Sequence, residues 1–403
     1  MTPPGSSGIL PSMDARNTDG WERRLCRWER SVLDEGGLYL VGGAVRDRLL
    51  GHGDRTADDD YVVTGIPIDR LVRILSGHGV SNLVGKSFGV VKFTPEEGPT
   101  VDIALPRREI STGAGHRDFD VDFDERIPIE EDLARRDFTV NSMAFHLGER
   151  RIVDPLDGRA DIAARRLRVN RSNSFVEDPL RMLRGVQLLA RFDLEATSET
   201  IERMRTDRAL IESVAPERVR MELDKMLIKA ARPSNGFVFM RDAGLLSLVL
   251  PELAATDGVT QNEYHIDDVL VHSLKTCDGV GRDLVLRWAG LLHDLGKPAM
   301  RREVDGRVVF HRHESESAKI AAVILERLRY SRTITARVVH LVRHHMFDIT
   351  AEWSDAAVRR FIARVGTVHL DDLFTLAEAD VASRGDIEAV ARLEDSRQRI
   401  ERL

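Results

Sequence analysis

The chain has 403 residues, of which 31% are charged, 42% hydrophobic and only 5% aromatic. At roughly 100–200 residues per domain, this length predicts two to four domains with real cores, and the composition excludes collagen-like and wholly disordered classes. The net charge of −7 argues against a nonspecific nucleic-acid coat, and two cysteines, Cys26 and Cys277, cannot build a disulfide framework or a four-sulfur zinc site.

Residues 1–18 are rich in Gly, Pro and Ser and read as a disordered tail. They lack the basic and apolar regions of a secretory signal, and no run approaches the roughly 18 apolar residues of a membrane span. A cytoplasmic protein with no membrane partner is expected. From Leu38 to Asp154 short β-branched runs alternate with turns: residues 38–41, 61–65, 90–93, 101–105 and 151–155. These predict strands, with helices at 44–50 and 68–77 between them. After Asp161 apolar residues recur at three and four, as in Leu180, Leu183, Val186 and Leu188, which predicts a mostly helical remainder. The expected class is α+β: a head of mixed β-sheet with helices over 19–160, an all-α neck over 161–255 and a helical body over 256–403. Between Arg159 and Lys229 stand 15 Lys+Arg against 12 Asp+Glu, a small positive excess in an acidic chain.

In the head, an apolar strand passes through Gly42-Gly43 into a helix. Glycines there let backbone N–H groups approach an anion, and Arg46 sits one turn in, where it can pair with phosphate oxygens. A Gly-Gly turn also serves plain steric needs. Asp58-Asp59-Asp60 follows, just before an apolar run. On a strand Asp58 and Asp60 project to the same face, and carboxylates held side by side repel unless a cation lies between them. Oxygen-rich pairs suit Mg²⁺, and Asp102 in a later strand is a candidate third acid. Two metal ions in such a site would activate a hydroxyl and stabilise a leaving pyrophosphate.

Gly42-Gly-Ala-Val-Arg-Asp47, the Asp58-x-Asp60 pair, Leu133-Ala-Arg-Arg-Asp-Phe-Thr-Val-Asn141 and Glu177-Asp-Pro-Leu-Arg-Met-Leu-Arg184 stand in one order over about 150 residues. Together they resemble the class II tRNA nucleotidyltransferases and bacterial poly(A) polymerases of the polymerase-β-like nucleotidyltransferase superfamily. The resemblance implies that Asp58 and Asp60 hold Mg²⁺ and that these two, with Asp102, are catalytic. It also implies that Gly43 and Arg46 cradle the triphosphate, that Arg136 contacts the nucleotide and that Asp137 fixes the ribose. The partners implied are the tRNA 3′ end, CTP and ATP.

Asp178 and Arg181 are three residues apart, so on a helix they share one face. Cytosine and adenine both offer an amino donor beside a ring-nitrogen acceptor, which an accepting carboxylate and a donating guanidinium can read. Guanine and uracil present the opposite polarity. Arg184 continues the stripe toward phosphate or base, and Gln187 stands where many relatives carry another arginine. The block Pro216–Leu223 reads as a helix buttressing the neck. Residues 107–133 read as a long polar loop; in the family this loop helps the switch from C to A addition, and its full length here favours complete CCA or A-only addition.

In the body, His272, His293-Asp294, His344-His345 and Asp380 stand in an order similar to the HD metal-dependent phosphohydrolases. Imidazole and carboxylate ligands can bind a transition metal and lower the pKa of its water. The resemblance implies His272, His293, Asp294 and Asp380 as ligands, with His313 and His344 near substrate phosphate. Some enzymes of this arrangement hydrolyse 2′,3′-cyclic phosphodiesters and phosphomonoesters; others use the helices to hold tRNA. The expected function is template-independent addition of C and/or A to the tRNA 3′ end. Its rivals are A-only addition or a poly(A) polymerase, an HD phosphohydrolase with a nucleotide-sensing head, and a non-catalytic RNA-binding protein.

Overall fold

The computed structural model describes Trp21 and residues 24–51, 59–84, 89–111, 119–261, 267–347 and 353–402. The tail predicted for 1–18 lies outside the described residues. Contacts divide the chain into two compact units. One runs to Asp178 and includes Glu195–Arg203; the other comprises Pro179–Leu194 and Met204–Leu403.

The first unit is built on strands β1 (Gly37–Val41), β2 (Asp60–Thr64), β3 (Gly79–Val84), β4 (Val90–Pro95), β5 (Val101–Ala104), β8 (Ala144–His146) and β9 (Arg151–Val153), in the order β3-β4-β5-β2-β1-β8-β9. Within this sheet only the β2–β5 pair is parallel; a separate two-stranded parallel pair joins β10 (Arg166–Leu167) and β11 (Glu195–Ala196). The predicted strands are all present, and the sheet is mixed as expected. Helices α1 (Arg27–Leu33), α2 (Gly43–Leu49), α3 (Ile68–Ser76), α4 (Ile129–Ala134), α5 (Gly158–Ala163) and α6 (Ser174–Glu177) complete it. Ile129 and Leu133 of α4 bury against Tyr39, Val41, Val62, Ala144 and Val153 of the sheet. In β4 and β5 the alternation is strict: Val91, Phe93, Val101 and Ile103 are buried, while Lys92 and Asp102 are exposed.

The segment read as a long polar loop is not one. Residues 107–133 form a hairpin, β6 (Arg107–Ser111) with β7 (Phe119–Phe123), followed by α4. In β7 the sequence Phe119-Asp-Val-Asp-Phe123 alternates apolar and acidic residues, a strand period that the surrounding polar composition hid; Arg108 of β6 pairs with Asp122 at 2.9 Å. Residues 112–118 lie outside the described part.

The second unit is helical, apart from the short hairpin β12 (Arg302–Val304) and β13 (Arg307–Val309). It contains α7 (Leu180–Phe192), the end of α8 (Ser198–Asp207), α9 (Pro216–Lys229), α10 (Ser234–Asp242), α11 (Leu246–Val249), α12 (Pro251–Ala254), α13 (Val269–Gly279), α14 (Leu284–Leu292), α15 (Lys297–Met300), α16 (His313–Arg327), α17 (Arg332–His344), α18 (Asp355–Val365), α19 (Leu370–Arg384) and α20 (Ile387–Glu401). Helix α13 packs on α14 and α19, and α17 packs on α14 and α16. No helix of the described residues is long and apolar enough to cross a membrane.

Candidate functional site

In the head, β1 is antiparallel to β2 with Leu40 opposite Tyr61. The Gly42-Gly43 turn that ends β1 and Asp60 that begins β2 therefore lie at the same end of the sheet. Asp102 is the register partner of Asp60 on the neighbouring parallel strand. Cross-strand partners share a face, so these two exposed carboxylates project side by side. Lys92 is the partner of Asp102 on its other flank. Asp59 turns away and pairs with Arg48 at 3.0 Å. Asp58 lies outside the described residues.

Arg46 and Arg136 converge on the glycine turn. A Cβ on Gly42 would meet Arg136 Nη1 at 2.7 Å, and one on Gly43 would meet Arg46 Nη2 at 3.4 Å. Gly42 also has φ +64°, so any side chain there is strained. Arg46 is almost buried, donates to Asn141 Oδ1 and pairs with Asp47 at 2.6 Å. Asn141 in turn donates to Asp137 Oδ1 at 3.0 Å, and the same oxygen accepts from the Phe138 N–H at 2.8 Å. Arg136 and Arg135 grip opposite oxygens of buried Asp132, at 3.1 and 2.8 Å. Burial alone would raise the Asp132 carboxyl, but Arg136 and Arg135 hold it below its ordinary value. Asn141 and Asp132, which fix the two arginines, were assigned no role from sequence. The signal for Asp132 is its i,i+4 spacing to Arg136 on a helix end.

The proposed base reader needs a correction. Asp178 does not share a helix with Arg181: it follows α6 with φ −141° and ψ 98°, and α7 starts only after Pro179. Proline disfavours helical backbone in the residue before it, so the i,i+3 face relation fails. Arg181 is buried in the first turn of α7. Arg184 is half exposed, with its Nε 3.9 Å from buried Glu222. Gln187 is buried and accepts from Arg191 at 3.1 Å.

In the body, all four predicted ligands meet. His272 of α13 lies with Nε2 2.9 Å from Asp380 Oδ1 and 3.3 Å from Asp294 Oδ2, and His293 Nε2 is 3.2 Å from that same Asp294 oxygen. The other oxygen of Asp294 faces a second pair that sequence reasoning did not set as ligands. His313 Nε2 is 3.1 Å from Asp294 Oδ1, and His345 Nε2 is 3.8 Å from it. His313, expected beside substrate, thus belongs to the cluster; of the His344-His345 pair it is His345 that enters it.

The tautomers follow from the outer partners. Nδ1 of His293, His313 and His345 faces the carbonyls of Gly290, Phe310 and Val342 at 2.7–2.8 Å. A carbonyl only accepts, so each Nδ1 carries the proton. His272 Nδ1 likewise donates to Ser383, whose hydroxyl is committed to the Asp380 carbonyl. Four Nε2 lone pairs therefore point inward, two of them 3.2 Å apart and two 3.3 Å apart. Both Asp294 oxygens are buried and receive no well-directed hydrogen bond, although Lys297 Nζ lies at 2.6 Å. Bare lone pairs facing one another and a buried carboxylate call for cations. Two overlapping groups, His272/His293/Asp294 and Asp294/His313/His345, keep their ligand atoms within 4.8 Å, and Asp380 borders the first. This nitrogen-and-oxygen set fits transition-metal ions. Burial and neighbouring His293 push the His345 imidazole down to about 3, so it stays a neutral ligand. For His272 burial acts downward, but Asp294 and Asp380 outweigh it and raise the pKa.

Family models match three successive stretches: "Poly A polymerase head domain" over 38–168, "Probable RNA and SrmB- binding site of polymerase A" over 192–256 and "HD domain" over 263–385. The Multifunctional CCA protein of Burkholderia cenocepacia (strain HI2424) is 35% identical, across 87% of this chain and 86% of that protein. The chain belongs to the multifunctional CCA protein family. The relative from Methylobacillus flagellatus is also 35% identical, over 88% of this chain and 86% of its own length. Among solved structures, the Bacillus stearothermophilus CCA-adding enzyme in complex with CTP superposes with TM-score 0.68 at 21% identity, covering 93% of this chain and 80% of that one. The Thermotoga maritima CCA-adding enzyme complexed with tRNA gives 0.60 at 20% identity, covering 96% and 86%. At these identities the likeness is one of fold. As a CCA-family nucleotidyltransferase with an HD domain, the chain is of a kind that uses divalent metal.

Proposed function

We propose that this chain adds C and A to the 3′ end of tRNA from CTP and ATP, releasing pyrophosphate. The observation that carries this reading is the in-register pair Asp60 and Asp102 at the sheet end that bears the Gly42-Gly43 turn. Asp58, Asp60 and Asp102 would hold Mg²⁺. Bound there, the metal would activate the terminal tRNA hydroxyl and neutralise charge on the leaving pyrophosphate. The remaining work belongs to side chains. Gly43 gives the triphosphate close backbone approach, while Arg46 and Arg136 supply guanidinium donors preset by Asn141 and Asp132. Asp137 would position the ribose, and Arg181, buried in the first turn of α7, would donate to the base. Catalysis of this kind is mostly positioning plus electrostatics.

Three tRNA transcripts, ending at the discriminator base, at C and at CC, test the reading with Mg²⁺ and CTP, ATP or both. Stepwise extension of all three that stops at CCA is the expected result. One A added only to the CC end identifies an A-adding enzyme, and long A ladders identify a poly(A) polymerase. No extension would return the weight to the HD domain.

A second activity is favoured by the buried His/Asp cluster. We infer that His272, His293, Asp294 and Asp380, joined by His313 and His345, hold transition-metal ions for phosphoester hydrolysis. Hydrolysis of 2′,3′-cyclic AMP that vanishes in His293→Ala while CCA addition persists is the expected outcome. A location in the cytoplasm accords with both activities.

A further inference from the structure

A cavity of about 660 Å³ opens from the His/Asp cluster, a volume suited to a nucleotide-sized or larger ligand rather than to a bare phosphate. Asp294, His313, His345 and Asp380 line its inner part. Lys297 and Arg384 also reach it, but each is already paired, with Asp294 at 2.6 Å and with Asp380 at 3.3 Å.

Three further guanidinium groups border the cavity from three different elements. Arg312 precedes α16, Arg343 lies in the last turn of α17 and Arg364 lies in the last turn of α18. All three residues are exposed, and among the described residues none has a carboxylate oxygen within 4 Å. Besides Asp294 and Asp380, Glu314 is a third acid of the lining, half-buried 4.0 Å from His313 Nδ1. Arg364 is held over the Phe361 ring at 5.6 Å, and Arg312 keeps a left-handed backbone at φ +64°. Like charges gathered at one mouth repel, and an anion bound there relieves the repulsion.

We propose that Arg312, Arg343 and Arg364 form a subsite for a second phosphate, so that the cavity takes the phosphorylated end of an oligoribonucleotide. The terminal phosphate lies at the His/Asp cluster, the next phosphodiester meets the arginines, and the rest of the strand leaves through the exposed mouth. This rests on reading the body as a phosphohydrolase. It adds what the substrate must carry beyond the group that reacts.

The test is binding to the full chain by isothermal titration, with and without Mn²⁺. The probes are a 3′-phosphorylated dinucleotide, adenosine 3′-monophosphate and adenosine 5′-diphosphate. Wild type should prefer the dinucleotide to the monophosphate by about tenfold, the scale of one added charge-assisted contact. The double variant Arg343→Gln/Arg364→Gln should lose that preference while holding the monophosphate within about twofold. Its salt dependence for the dinucleotide should flatten by about 1.4 in log–log slope, at roughly 0.7 per cation for single strands. The single variant Arg343→Gln should show an intermediate loss, which guards against misfolding of the double. Binding at the head is common to all variants and cancels in the comparison. Equal loss on both nucleotides, no loss, or a preference for the 5′-diphosphate would overturn the subsite and leave the phosphohydrolase reading standing. A wild type that binds neither 3′-phosphorylated probe would overturn both.

Discussion

Replacing Asp102 by Asn tests the carboxylate pair most directly, because the expected effect changes sign with metal. Neighbouring strands are about 4.8 Å apart, so Asp60 and Asp102 place like charges about 5 Å from one another. Coulomb repulsion at that distance is about 0.8 kcal/mol in bulk water and about 3 kcal/mol at an effective dielectric of 20. The pair is exposed and Lys92 flanks it, so the lower end, about 1 kcal/mol, is the better figure. Without divalent metal, Asp102→Asn should stabilise the head by about that amount, a rise in melting temperature of roughly 2–4 °C. With Mg²⁺ at about 100 times its dissociation constant, wild type gains about 2.7 kcal/mol and the variant much less. The order of stability therefore reverses between EDTA and Mg²⁺ in a calorimetric melt. Nucleotide incorporation should fall at least ~100-fold in the variant. A variant less stable than wild type in EDTA, or one with an undiminished Mg²⁺ shift, would refute the reasoning.

Asp58→Ala or Asp60→Ala should abolish incorporation while leaving tRNA binding in a gel-shift assay nearly intact; full activity in either sinks the metal-holding role. Arg181→Ala should raise misincorporation of G and U relative to C and A, and unchanged discrimination removes the base-reader assignment. In the metal-free protein, burial depresses His345 to about 3 and His344 to about 4. Below the ordinary pKa of about 6.5 the unfolded chain then takes up protons that the fold refuses, so stability falls as pH drops from 6.5 toward 4. The limit is about 1.4 kcal/mol per pH unit for buried His345 and less for half-exposed His344; a melting temperature flat over that window would contradict it. His272 acts oppositely, its stabilisation fading as pH rises above 6.5. A transition-metal chelator used at millimolar Mg²⁺ should silence the cyclic phosphodiesterase and spare nucleotide addition, and loss of both together would contradict the two-site assignment.

Strands β1, β2, β4, β5 and β9 were legible because each is a short apolar run bounded by turns, whereas β3 and β8 were not predicted; Asp102 was legible because it interrupts such a run. The β6–β7 hairpin was not, since the polar, glycine-containing residues around it masked the period of two in 119–123 and β6 carries no such alternation. Asp178 misled for a local reason: spacing of three reads as one helix face, yet Pro179 lies inside the spacing and removes the helix there. His345 could not be separated from His344 by sequence, because adjacent residues are 100° apart on a helix and only packing decides which points inward. Here the helix ends at His344, and the Val342 carbonyl captures His345 Nδ1.

The two sites also differ in the ions their donors select. The head offers carboxylate oxygens alone on an exposed strand face, hard donors that leave room for the water Mg²⁺ keeps and for substrate phosphate. The body offers four imidazole nitrogens around the shared Asp294 carboxylate, three of them aimed by backbone carbonyls and His272 by Ser383. That set binds borderline metals strongly and Mg²⁺ poorly. Lys297 sharpens the contrast, since an ammonium 2.6 Å from Asp294 Oδ2 cancels part of its charge. With the carboxylate partly neutralised, affinity there must come from nitrogen, which Mg²⁺ does not favour. If both sites work as proposed, one chain would carry both chemistries in a cell rich in Mg²⁺ without either site capturing the other's ion.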